Sequence, residues 1–128
     1  RPDILLIPGG IGRKIQMHHV PVLNWVKHEA SEVEFMLSVC TGSFILGNSG
    51  LLNELSATTH HASYAEFEET FPKTRLIRNV KYVENGSVIT SGGITAGIDM
   101  CLFVIAKLHG DPLMQAVAHH MEYTINPS

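Results

Sequence analysis

The chain has 128 residues, of which 45% are hydrophobic and 16% are charged, and its formal net charge at pH 7 is −3. The length is typical of one globular domain, and the apolar share excludes an intrinsically disordered chain. The acidic balance argues against a nucleic-acid partner, and no apolar run approaches the roughly 20 residues of a membrane span. Two cysteines are too few for a disulfide framework and the first residues lack a signal-peptide pattern, so we expect a reducing, cytoplasmic location.

Strand-like and helix-like segments alternate along the chain. Short apolar or β-branched runs bounded by turn residues predict strands over residues 3–7, 33–39 and 56–59. Apolar spacing, helix-start residues and helix-ending Gly or Pro predict helices over residues 21–30, 41–52, 63–71, 95–109 and 113–123. Ser63 and Glu66 have the spacing of a capping box. Asn85-Gly86, between strands predicted over 80–83 and 88–91, indicates a hairpin with a type I′ turn.

This alternation predicts a three-layer α/β sandwich, with a mainly parallel sheet that is covered by helices on both faces. Ligands bind such sheets at the carboxyl ends of the strands. We therefore expect three loops to lie on one rim: Pro8-Gly9-Gly10, Cys40-Thr41-Gly42 and Gly92-Gly93-Ile94.

Cys40 stands where a predicted strand turns into a predicted helix, with Gly42 two residues later. That is the layout of a nucleophile elbow, which exposes its central side chain at the top of the sheet. The helix dipole stabilises a thiolate by at most ~2 kcal/mol, whereas a hundredfold gain in thiol acidity needs about 2.7 kcal/mol, so N–H donors or a polar neighbour must supply the rest. A buried structural cysteine is an equally open interpretation of this pattern. Cys101, in an apolar helical run, is predicted to be a small buried hydrophobe.

Two further features point to the same rim. The Pro8–Gly12 loop follows a strand and exposes backbone N–H groups that can bind an anion, although such loops are more often plain turns. His60 ends the short strand and could orient or protonate a group there, or be an ordinary polar residue at a strand end. The other histidines occur mainly as adjacent pairs, whose side chains diverge, so no metal site is predicted.

Five segments carry a resemblance to a known family: Pro8-Gly9-Gly10, Ser38-Val39-Cys40-Thr41-Gly42-Ser43, Gly50-Leu51-Leu52, Ala57-Thr58-Thr59-His60, and Gly92-Gly93-Ile94-Thr95-Ala96-Gly97-Ile98-Asp99. Together they resemble the ThiJ/PfpI superfamily, whose fold is similar to the class I glutamine amidotransferase domain. Within it, the elbow and the glycine-rich run look most like isocyanide hydratases. The resemblance implies a flavodoxin-like sheet and a homodimer.

The resemblance also implies roles for single residues. Cys40 would be the nucleophile, with Thr41 and His60 beside it. Backbone donors and an apolar substrate pocket would come from five other residues: Gly10, Ile11, Gly93, Ile94 and Ile98. The implied reaction is hydration of an isocyanide to an N-substituted formamide through a covalent thioimidate, with no cofactor or metal. The alternatives are a ligand-sensing amidase-like domain of an AraC-type transcription regulator, and a redox-sensing or deglycase-like member of the superfamily.

One family feature is absent from these residues. The family's first strand and helix carry an acidic residue that faces the cysteine, and no Asp or Glu of this sequence matches it. We therefore expect residues 1–128 to be a single ThiJ/PfpI-like domain that is N-terminally incomplete, and we expect the proton donor of the reaction to come from outside them. Loss of this strand would expose a sheet edge and apolar side chains.

Overall fold

The computed structural model describes residues 2–125, which form six strands and six helices. The strands are β1 (Ile4–Ile7), β2 (Phe35–Ser38), β3 (Ser56–Ala57), β4 (Arg75–Leu76), β5 (Tyr82–Asn85) and β6 (Val88–Ser91). The helices are α1 (Arg13–Gln16), α2 (Val20–Ala30), α3 (Ser43–Asn48), α4 (Tyr64–Thr70), α5 (Ile94–His109) and α6 (Asp111–His120). Two 3₁₀ turns, Cys40–Gly42 and His61–Ser63, lead into α3 and α4. No helix of residues 2–125 is long and apolar enough to cross a membrane.

Four strands form the main sheet in the order β1-β2-β6-β5. β1 is parallel to β2, with Ile4 opposite Phe35, and β2 is parallel to β6, with Met36 opposite Val88. β5 closes the sheet antiparallel to β6, and β3 and β4 pair in parallel as a separate two-stranded sheet. The prediction of a mixed α/β fold with a mainly parallel sheet and one hairpin is confirmed.

The core lies on both faces of β2, because successive side chains of a strand point to opposite faces. Met36 packs into one cluster with Val26 of α2 and Phe44 of α3. Phe35 and Leu37 pack into a second cluster, which contains residues of β6 and α5. Burying such a side chain contributes roughly 1.5–3 kcal/mol, so the layers of helices on both faces stabilise the central strand.

β1 is the edge of this sheet. Its alternate residues Leu5 and Ile7 pack against the core, whereas Ile4 and Leu6 are each 38% exposed. Ile4 and Leu6 lie opposite Phe35 and Leu37 of β2, but they belong to neither core cluster. The edge strand therefore leaves both an open row of backbone groups and apolar side chains accessible.

Several local predictions differ from the structure. The helix predicted over residues 41–52 is a 3₁₀ turn followed by the short α3, and Gly50 follows in the left-handed region at φ +84°. The capping box is wrong: Ser63 precedes α4 but makes no side-chain cap bond. The hairpin turn is Gly86-Ser87, because Asn85 still pairs with Val88 as the last residue of β5. The short elements α1 and β4 were not predicted, since neither carries a periodic pattern.

Candidate active site

Cys40 lies two residues after the end of β2 and adopts the left-handed backbone conformation, at φ +56°. This conformation costs a residue with a Cβ roughly 1–2 kcal/mol, so the surrounding structure must hold it in place. The Cys40 N–H donates to the Gly92 carbonyl at 2.9 Å. Its carbonyl accepts hydrogen bonds from Thr59 Oγ1 at 3.0 Å and Ser43 Oγ at 3.3 Å. Contacts from three neighbouring segments thus fix the sharp turn at the cysteine.

Two glycines let the loop after β1 and the turn at Cys40 meet backbone to backbone. A Cβ at Gly42 would lie 2.3 Å from the Ile7 carbonyl oxygen, far inside contact distance. A Cβ at Gly9 would lie 2.8 Å from both Cys40 Cβ and the Thr41 nitrogen. Because of this close approach, the loops after β1, β2 and β6 share one rim around Cys40.

The Thr41 side chain accepts a hydrogen bond from one of the two predicted backbone donors, the amide of Gly10. The Gly10 N–H donates to Thr41 Oγ1 at 3.0 Å, so this amide is bonded inside the protein. The Gly10 N–H would have to leave this bond to donate to a substrate, so the role implied by the resemblance stays a prediction. The amide of Ile11 has no hydrogen-bond partner within residues 2–125 and is left as a donor.

A pocket of about 480 Å³ opens above Cys40. Predicted site residues line one part of it: Cys40, Thr41, His60, Gly10 and Ile11. The other part consists of residues that the sequence did not indicate: Arg13, Lys14, Ala62, Ser63 and Glu66. The structure thus gathers five of the predicted residues in a pocket whose remaining wall is mainly polar.

The hydrogen bonding of His60 assigns its tautomer. The Ala62 N–H donates to His60 Nδ1 at 3.1 Å. A neutral imidazole that accepts at Nδ1 carries its proton on Nε2, so His60 is a hydrogen-bond donor at Nε2. Its ring stacks on His61 with a centroid distance of 4.4 Å. His60 in this state can donate to a bound ligand but cannot accept a proton from Cys40 at Nε2.

Arg13 and Glu66 form an ion pair on the wall of the pocket. Arg13 Nη1 and Nη2 donate to the two carboxylate oxygens of Glu66 at 3.0 and 2.8 Å. These hydrogen bonds and the arginine's charge lower the pKa of Glu66, so it is a carboxylate at neutral pH and a poor proton donor. The two residues are 53 positions apart, and no spacing pattern could have paired them.

The structure does not place Ile94 and Ile98 at Cys40. They line a separate apolar groove of about 280 Å³ between α5 and α6, together with Val39 and Cys101. Both residues belong to α5, which begins at Ile94. Because residues four apart project from the same side of a helix, the two side chains lie together in this groove. Burial raises the pKa of the half-buried Cys101 thiol, which keeps it protonated and unreactive.

Gly93 lines neither the Cys40 pocket nor the groove between α5 and α6. It lines a third cavity of about 440 Å³ together with His61 and Lys81. A Cβ built on Gly93 would be 3.6 Å from His60 Cδ2, so its backbone adjoins the histidine. Among residues 2–125, no group of three or more His, Cys, Asp or Glu is arranged to hold a metal ion.

Comparison with known proteins gives enzymes and regulators of similar sequence. Isonitrile hydratase of Pseudomonas putida is 36% identical over 126 residues, which are 98% of this chain and 54% of that protein. The HTH-type transcriptional regulator GbdR of Pseudomonas aeruginosa is 30% identical over 123 residues, which are 94% of this chain and 32% of the regulator. The chain thus spans about half the length of the first relative and about a third of the second.

The fold and the motifs lead to the same family. A ThiJ/PfpI family protein from Pseudomonas syringae, known from its crystal structure, matches with a TM-score of 0.85 at 28% identity, over 98% of this chain and 51% of that one. The sequence profile of the DJ-1/PfpI family matches residues 1–107. The resemblance inferred from the elbow and the glycine-rich segments is therefore confirmed, and the chain belongs to the DJ-1/PfpI family.

Proposed function

We propose that the protein hydrates isocyanides to N-substituted formamides, with Cys40 as the nucleophile. The observation that carries the proposal is the left-handed Cys40 at the head of a polar pocket, held by hydrogen bonds from three segments. The similarity to isonitrile hydratase supports the choice of reaction within the family. A homodimer in the cytoplasm is part of the same proposal.

In the first step, the S–H of Cys40 adds across the terminal isocyanide carbon. The sulfur forms a bond to that carbon, the carbon gains a proton, and the product is a covalent thioimidate. Within residues 2–125, neither His60 nor Glu66 is a suitable acid at neutral pH: one is a neutral Nε2–H donor and the other an ionised carboxylate. The proposal therefore assigns the proton transfer to a group supplied from outside the residues that line this pocket, which takes the proton from the sulfur and delivers it to the carbon.

In the second step, water adds to the thioimidate carbon and the C–S bond breaks. The sulfur leaves with the electron pair, one hydrogen of the water passes to the nitrogen and the other restores the Cys40 thiol, and the substrate departs as the formamide. The sum is one isocyanide and one water converted to one formamide, with no external oxidant or reductant. The Thr41 hydroxyl, the Ile11 amide and His60 Nε2–H are the pocket groups that can hold the water and the substrate nitrogen.

Replacement of Cys40 tests this proposal directly. C40A and C40S should lower formamide production from a small alkyl isocyanide by at least about 100-fold, because the covalent route is lost. Mass spectrometry of the wild-type protein under turnover should show an adduct equal to the isocyanide mass on Cys40. The matched control is C101S, whose thiol lies in the separate groove and should not affect turnover. Unchanged turnover in C40A would overturn the proposal.

A second candidate is a ligand-sensing domain of a transcription regulator. It is favoured by the similarity to GbdR over 94% of the chain. In this case the protein should bind a small molecule in the Cys40 pocket without converting it, and C40A should bind it with nearly the wild-type affinity. Calorimetric titration of both proteins, combined with a formamide assay, separates the two functions.

A further inference from the structure

We infer that Arg13 is a positioning residue for Cys40. It ties the loop that carries the Ile11 amide to the helix that follows the cysteine, with Glu66 as its anchor. The inference rests on the proposed function only in taking Cys40 as the reacting group. We call the contacts of Arg13 with Phe44 and Glu66 the Arg13 clamp.

The first half of the clamp reaches the helix behind Cys40. The guanidinium carbon of Arg13 lies 4.0 Å from the centre of the Phe44 ring, within the range of a cation–π contact. Phe44 is fully buried in α3, four residues after Cys40. Arg13 itself is only 6% exposed, and its Nη1 also donates to Met17 Sδ at 3.4 Å. A buried cation therefore fixes the start of α1 against the elbow helix.

The second half of the clamp fixes the orientation of the guanidinium. Glu66 of α4 accepts one hydrogen bond on each carboxylate oxygen, in the two-pronged geometry that a planar guanidinium offers and an ammonium group does not. The side chain of Glu66 is 51% exposed, whereas that of Arg13 is 5% exposed, so E66Q leaves the buried guanidinium without its carboxylate. Because Gln keeps an oxygen that can accept a hydrogen bond from Arg13, E66Q weakens the anchor and retains part of the contact.

The loop between β1 and α1 needs such an anchor. A Cβ built on Gly10 or on Gly12 would meet no atom within 4 Å, and the Ile11 side chain is 85% exposed. The loop is therefore not held by its own packing. It is held at Gly9, by the Gly10–Thr41 hydrogen bond, and by Arg13 directly after Gly12. Since the Ile11 amide and Cys40 line the same pocket, loosening Arg13 should displace a donor of that pocket.

The same helix offers a control pair of the same chemistry. Arg78 donates to Glu68 of α4, and its guanidinium lies 5.1 Å from the centre of the Tyr64 ring. Both members of this pair are about half exposed, and neither lines the pocket at Cys40. Removing the Arg78–Glu68 pair takes an ion pair away from α4, as removing the Arg13–Glu66 pair does, but it leaves the loop between β1 and α1 unchanged.

The test measures alkylation of Cys40 by iodoacetamide as a function of pH, in a C101S background so that one thiol reacts. The titratable groups that share the pocket with Cys40 are Arg13, Lys14, His60 and Glu66. R13M, R13K and E66Q should each lower the alkylation rate across the pH profile by roughly threefold to tenfold, because the loop that lines the pocket with Cys40 loses its anchor. The charge change in E66Q would by itself favour the thiolate and speed alkylation, so a slower E66Q reports loss of positioning. R78M and E68Q should leave the rate unchanged.

The outcomes separate positioning from a purely structural role. If R13M lowers the melting temperature but alkylates like R78M, the inference is overturned. Should R13M fail to fold, R13K and E66Q decide the question, since both keep a polar group at the clamp. Formamide kcat/KM is measured alongside: a wild-type protein that makes no formamide, but whose alkylation slows in E66Q, refutes the proposed reaction and retains the positioning role.

Discussion

Cys40→Gly should make the protein more stable while abolishing its activity. Cys40 is a residue with a Cβ at φ +56°, which costs roughly 1–2 kcal/mol that glycine avoids. Glycine also gains about 0.4–1 kcal/mol of unfolded-state entropy, which offsets part of this benefit. The net gain is roughly 0.5–1 kcal/mol, or a rise in Tm of about 2–4 °C for a domain of this size.

The appropriate reference is C40A, which lacks the sulfur but keeps the Cβ and its strain. Urea unfolding of C40G and C40A gives the free-energy difference, provided that both proteins unfold in two states with the same m-value. Glu54 supplies the control outside the site: it is exposed at φ +65°, so E54G should gain similar stability and keep its formamide production. If C40G is no more stable than C40A while E54G is stabilised, the elbow is not strained and the reasoning fails.

Three further outcomes are expected. Gly42→Ala should cost roughly 1–3 kcal/mol and slow Cys40 alkylation, because its Cβ would lie 2.3 Å from the Ile7 carbonyl oxygen; wild-type urea unfolding in this variant would contradict the close approach. Thr41→Val should change stability by less than about 1 kcal/mol, because water can solvate the exposed Gly10 amide, yet lower formamide kcat/KM about tenfold; wild-type kinetics would remove Thr41 from the site. The lowered pKa of Glu66 means that its ion pair stabilises the fold fully above its ordinary pKa of about 4.5 and that this contribution is lost as the pH falls through the lowered pKa. The stability difference between wild type and E66Q, from urea unfolding, should therefore shrink toward about pH 3, and a growing difference would refute the assignment.

Local patterns in the sequence were enough to predict the architecture and the position of the cysteine. Apolar runs of strand length, helical spacing and glycines at the turns are local patterns, and they predicted the parallel strands, the hairpin and the elbow at Cys40 because backbone geometry repeats over two to four residues. The motifs also placed Cys40, Thr41 and His60 close to one another, since the ends of parallel strands meet at one rim.

The composition of the pocket wall depends on packing between elements that are distant in the sequence. Arg13 and Glu66 are each unremarkable in sequence, and Glu66 even suggested a helix cap, but packing brings their side chains together across 53 residues. Helix α5 likewise turns Ile94 and Ile98 into a different groove, although they follow the rim loop directly. Side-chain contacts between distant elements depend on how whole helices are oriented on the sheet, and no local periodicity encodes that orientation.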